Sequence, residues 1–356
     1  MKAEVWWKQI TSAERFLRDI VKALLEGKSV ILYGTEKMPW IHVMRSLVTD
    51  GVKTQSSNRA IYPLTAAEGG EKLGEFLLKH FCKPELRTKY RPIMSPAKFL
   101  ADCEDSTLPS SYIWVQSANL DETRRWTDFI GDYVDAVGKR RGAVFLLEAA
   151  EGAEELQKKG IASFSYEKAI NPYDRFVFNM LLASEINVGS SYMKEYLAEL
   201  ASNVTDGDIE LSAECIERGK EFLADPCGIL KAVREKVGLD APNATEEIVQ
   251  HAAWVAQIKQ VFPLIEDYRQ KFIADHEKMI QGSLPWTASD GSPVEEPKDA
   301  ELGLLWFLSQ KDHWLLSPTA KEKLKLFREA RNTIAHMGLL DLDEMQELFD
   351  MYGRNG

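Results

Sequence analysis

The sequence predicts an α/β N-terminal domain on a mostly parallel sheet, followed by a helical middle and an all-α C-terminal bundle. Three observations carry this. Short apolar runs alternate with helical stretches up to about residue 170, and strands separated by helices need crossover connections, so they pair in parallel. From about Asn171 the strand signals stop and apolar residues recur at helical spacing. A long helical stretch, about 245–279, then carries Trp254, Ile258, Phe262, Ile265, Tyr268 and Phe272 as one apolar stripe. The expected domains are 1–170, 171–240 and 245–356, with a short linker at 240–245.

The bulk numbers fit this plan. The chain has 356 residues, enough for two or three domains, and is 45% hydrophobic and 28% charged. A net charge of −11 argues against a surface that coats nucleic acid, but leaves room for a local RNA site. Cys82, Cys103, Cys215 and Cys227 are scattered, with no CxxC pair and no zinc-ligand spacing, so reduced thiols in a cytoplasmic protein are expected and no metal or cofactor is assigned. The first 16 residues carry charges throughout and do not read as a signal peptide. No apolar run reaches the ~20 residues of a membrane span.

In order, Thr11-Ser12-Ala13-Glu14 reads as a capping box opening a helix to about Glu26. Residues 29–34 form a buried strand ending in Gly34. A helix follows from about Pro39, a weaker strand at 59–62, and a helix at 71–81. Ser95-Pro96-Ala97 opens another helix. Strands at 112–115, 143–147 and 161–166 frame a helix at 121–137. In layout this half resembles the nucleotide-binding core of AAA+ and STAND-type P-loop proteins. The resemblance implies a phosphate loop after the first strand, an acidic metal-organising residue after Val115, and a helical lid or winged-helix-like region from Asn171.

The motifs depart from that family. After the first strand comes Gly34-Thr35-Glu36-Lys37-Met38-Pro39-Trp40, without the second Gly and the Lys-Ser/Thr pair that embrace phosphates and Mg²⁺. After Val115 come Gln116 and Ser117, not a carboxylate. Glu148 reads either as a substitute carboxylate or as a solvated strand end. The domain is therefore expected to be a degenerate P-loop-like fold without ATP hydrolysis.

In the helical half, Phe176, Met180 and Leu181 are helically spaced, and helices are expected at 193–200, 209–223 and 229–237. Pro263 should kink or break the long helix. Residues 282–299, with three prolines, form a long connection to a short helix at 301–308 and a final helix at 341–349 opened by Asp341 and Asp343. Between these last two, residues 321–337 lack Gly and Pro and place Leu324, Phe327, Ala330 and Ile334 on one face, with Gly338 as the stop. Arg331, Asn332 and His336 fall inside this helix. Lys321, Lys323, Lys325 and Arg328 read either as a solvated face or as a basic rim around Arg331.

Arg331-Asn332-Thr333-Ile334-Ala335-His336 resembles the HEPN-domain signature of an arginine, a polar residue, three further residues and a histidine. The resemblance implies a helical bundle whose motif faces its twin across a dimer, and in many members a metal-independent endoribonuclease. Arg331 would then bind the scissile phosphate, Asn332 would orient it or the imidazole, and His336 would shuttle the proton. RNA would be the substrate and a second copy or another protein the partner, with no DNA or membrane target expected. A bacterial defence or toxin system is the implied setting. The alternative is a non-catalytic scaffold in which the arginine pairs with a neighbouring carboxylate. His251, His276 and His313 read as surface or packing residues, and Trp314 as a loop anchor or the edge of a stacking surface.

Overall fold

The computed structural model describes residues 1–56, 58–65, 73–103, 105–153, 155, 158–236, 245–287 and 291–353. The chain divides into two compact units, Met1–Arg175 and Phe176–Gly356. The expected linker at 240–245 lies, but for Thr245, outside the described residues.

The first unit is an α/β fold on five parallel strands: β1 Ser29–Tyr33, β2 Ala60–Thr65, β3 Ser111–Gln116, β4 Val144–Glu148 and β5 Ile161–Ser165. Their order is β2-β3-β4-β1-β5. Both faces are covered, which is why β1 and β4 read as unbroken apolar runs and every one of their residues is buried. One face packs Ile31, Ile113, Phe145 and Leu147 against Trp126, Phe129, Ile130 and Tyr133 of the helix Leu120–Val137. On the other lie Leu24, from the helix Thr11–Leu25, and Val48 and Val52, from the helix Ile41–Gln55, beside Trp114 and Leu146.

Several details differ from the sequence expectation. An unexpected first helix, Lys2–Gln9, buries Trp6 and Trp7. The capping box at Thr11 does not form, because Ile10 is the capping residue and the Ser12 hydroxyl donates to Asp174 at 2.8 Å. The helix expected from Pro39 begins at Ile41: the Pro39 carbonyl accepts the Trp7 indole N–H at 3.0 Å, and Trp40 turns the chain with a left-handed φ of 46°. β2 runs on through Pro63 to Thr65, which an edge strand tolerates because one side needs no amide donor. Of the helix expected at 71–81, Leu73–Phe81 is present as expected, and positions 71 and 72 lie outside the described residues.

The second unit is helical around one apolar core. Its long helix, Glu246–Gly282, passes through Pro263 without leaving helical geometry; the irregular residue is His276 (φ −123°, ψ 17°), whose Nδ1 lies 2.9 Å from the Phe272 carbonyl. Phe262 is exposed rather than part of the stripe, and Gln257 is buried in it. The helix expected over 209–223 is two, Ile209–Glu217 and Lys220–Ala224, split at Gly219 (φ 52°), where a Cβ would come 2.9 Å from Ile186. The connection after Gly282 contains a two-residue antiparallel ribbon, Trp286–Thr287 with Pro293–Val294. Three helices close the unit: Leu302–Lys311, Pro318–Ala335 and Leu342–Gly353. Asp341 and Glu344 cap the last reciprocally, at 2.8 and 2.9 Å.

Candidate functional site

The helix Pro318–Ala335 carries the Arg331/Asn332/His336 motif. Pro318 occupies its first turn and the Ser317 hydroxyl accepts the Ala320 N–H at 3.1 Å. Leu324, Phe327, Ala330 and Ile334 are buried. The C-terminus ends earlier than expected. His336 is the capping residue (φ −96°, ψ 22°), outside the helix, and Met337 rather than Gly338 takes the left-handed position (φ 60°). Met337 N–H bonds Ile334 O at 3.1 Å and Gly338 N–H bonds Thr333 O at 2.8 Å, the paired closure of a Schellman turn. Gly338 is needed for space, since a Cβ there would lie 2.9 Å from the Thr333 carbonyl oxygen.

Two side chains of the long helix fix this turn. The Trp254 indole N–H donates to Ile334 O at 2.9 Å. The Gln257 amide donates to Leu340 O at 2.8 Å and accepts Leu340 N–H at 2.9 Å. Nothing in the apolar pattern pointed to Gln257; the only signal was a lone amide inside a buried stripe.

Of the three motif residues, the structure brings Arg331 and Asn332 together, with Nη1 3.5 Å from Oδ1. Arg331 Nη2 donates to Glu301 Oε2 at 3.0 Å, so its guanidinium is paired with a carboxylate. His336 is exposed, and its imidazole has no hydrogen-bond partner among the described residues. Lys321 and Lys325 are exposed, and Arg328 lies over the Trp306 ring at 5.8 Å. Lys323 does not belong to this rim. It is buried and donates to Met351 O at 2.7 Å, and burial pushes its ammonium below the usual lysine range. Trp314 is a buried anchor whose indole N–H meets the Ser283 hydroxyl at 3.2 Å, not a stacking surface.

In the first unit, the carboxyl ends of β1, β3 and β4 meet where connections leave in different directions, the usual crevice for a ligand in an open parallel sheet. Near these strand ends charged side chains pair with one another. Gly34 (φ 73°) leads into a single 3₁₀ turn, Thr35–Lys37, and Lys37 is ion-paired with Glu167. Glu148 is neither a solvated strand end nor an open metal ligand. It is 4% exposed, bound in a two-pronged pair by Arg45 at 2.8 and 2.6 Å, and its Oε1 also accepts the Trp114 indole N–H at 2.7 Å. Among the described residues no group of three His, Cys, Asp or Glu is arranged to hold a metal, and no helix is long and apolar enough to cross a membrane.

No family model matches the chain, and no curated protein matches it. Among solved structures, a variant of Thermotoga maritima RuvB is similar over 85% of this chain and 94% of that one, at 10% identity and a TM-score of 0.29.

Proposed function

We propose that the helical unit is a HEPN-type, RNA-associated module and that Arg331, Asn332 and His336 form a metal-independent endoribonuclease site, completed by a second copy of the chain. The observation that supports this most is placement. The three residues lie at the rigidly closed end of one helix, Arg331 and Asn332 in contact, and His336 exposed on the turn that follows. Arg331 would neutralise the scissile phosphate with its planar fork, and His336 would take the proton from the attacking 2′-OH. Exposure of His336 is what a site needs if the opposite wall comes from another molecule.

The α/β unit is proposed as a degenerate, P-loop-like scaffold. Its support is the pairing of charges near the strand ends, Arg45 with the buried Glu148 and Lys37 with Glu167. A bacterial defence or toxin setting belongs to this proposal by resemblance alone. One observation favours the rival reading, a non-catalytic scaffold that dimerises through the helical unit: Arg331 is already paired with Glu301.

Incubation of the full chain with mixed RNA in EDTA separates the two. The catalytic reading expects fragments ending in cyclic phosphate, no cleavage of DNA, and loss of cleavage in His336→Ala and Arg331→Lys. Intact RNA, with the wild-type protein shown by light scattering to be a dimer, supports the scaffold.

A further inference from the structure

A groove of about 530 Å³ opens beside the motif turn. One wall is the first three turns of the long helix, where Glu247, Gln250, His251 and Trp254 recur at three- and four-residue spacing and so share a face. The opposite wall is Met337 and Leu339, which follow His336 directly and are 66% and 38% exposed. Trp254 is held in place by its bond to Ile334 O, and the His251 ring lies 5.8 Å from it at a 31° tilt, so the two make one aromatic surface. That surface offers a stacking face to a flat ring, in a groove that Met337 also lines.

The polar atoms decide which ring. The Glu247 carboxylate only accepts hydrogen bonds. The Gln250 Nε2 is turned to Glu246 at 3.2 Å, which leaves its Oε1 as a second acceptor. Glu247 also repels phosphate, so the groove suits a base and leaves the phosphate to Arg331. We infer that this groove is a base subsite that takes one unpaired guanine of RNA. Guanine alone among the four bases presents two adjacent donors, N1–H and the N2 amino group, on its Watson–Crick edge. Adenine and cytosine offer an amino group beside an acceptor, and uracil a single N–H between two carbonyls. Unpaired bases read by stacking and edge hydrogen bonds are the usual mode of sequence-specific RNA recognition.

This inference rests on the RNA reading of the motif. It is tested with the full chain and four fluorescein-labelled heptauridylates carrying U, A, C or G at the centre. Anisotropy should show the guanosine oligomer binding roughly tenfold tighter than the others. Glu247→Gln should erase that preference, bringing the four oligomers within about twofold of one another as the loss of a negative charge favours all of them alike, and His251→Ala should weaken the guanosine oligomer most. Equal affinities, or a preference that survives Glu247→Gln, overturn the subsite. So does light scattering that shows self-association burying Met337 and Leu339, lost in Met337→Ser, without oligomer binding. Scission of the same oligomers keeps the outcomes apart. Guanine-selective binding without scission removes the catalytic reading and keeps the groove. Scission indifferent to the base and to Glu247→Gln does the reverse. Absence of binding to all four overturns both.

Discussion

Arg331 donates to Glu301 across 3.0 Å, and Glu301 is the residue that caps the helix Leu302–Lys311. The cation of the motif is thus held by a carboxylate one element away. The pair is exposed, 36% for the arginine side chain and 72% for the glutamate, so it is weak and a phosphate can displace it.

Glu301→Gln should therefore free Arg331. On the proposed RNA reading, binding is expected to tighten by at most about fivefold, the reach of an exposed pair, with a change in unfolding free energy within about 1 kcal/mol. Anisotropy titrations and thermal melts measure the two. Weaker binding in this variant would show that Glu301 orients the arginine and does not compete for it.

Arg45→Ala should destabilise the α/β unit by about 3–5 kcal/mol, because Glu148 would be left charged, buried and without its main partner. Replacing both residues, Arg45→Met with Glu148→Leu, should recover most of that loss. Denaturant unfolding of the three proteins tests this. A single variant within about 1 kcal/mol of wild type would mean that water reaches Glu148.

Gln257→Leu removes the amide that bonds both backbone groups of Leu340, in a position 2% exposed. Leaving a buried N–H and C=O unpaired should lower stability by about 3 kcal/mol. The turn that carries Met337 should also exchange its amide hydrogens faster. Unchanged protection at Gly338 and Leu340 would show that Trp254 holds the turn by itself.

Thiol labelling at neutral pH should modify Cys227 first, since it is half-buried while Cys82 and Cys215 are buried. Burial pushes both of those thiols up to about 12, with Cys103 adding to the effect at Cys82 and Glu214 at Cys215. Neither forms a thiolate at pH 7. Mass spectrometry of briefly alkylated native protein gives the order; early modification of Cys215 would show that the helical core opens locally.

What could be read from the sequence was periodic. β1 and β4 were legible because both sheet faces are covered, and the motif helix because its core residues recur every three or four positions. The cap at Ser95 followed from a polar residue before a proline, whereas the same pattern at Ser317 and Pro318 was not read, and the motif helix starts three residues earlier than expected. Pairings between distant positions had no such signal. Arg45 and Glu148 are 103 residues apart, and Arg331 and Glu301 are 30 apart. Lys323 was misread because its neighbours Lys321 and Lys325 are exposed, and only the fold reveals the Met351 carbonyl that receives it. The N-terminal helix was hidden by its charges, although Trp6 and Trp7 are among the most buried side chains.

The Arg45–Glu148 pair also has a meaning in mass action. A carboxylate fixed to the same fold behaves as a ligand that never dilutes away, with an effective concentration of millimolar or above. A free nucleotide entering the crevice would compete with it for the same guanidinium, and at cellular concentrations would have to win by affinity. On the proposed scaffold reading the α/β unit is self-liganded: the anion that meets Arg45 is encoded in β4 and is present at every copy.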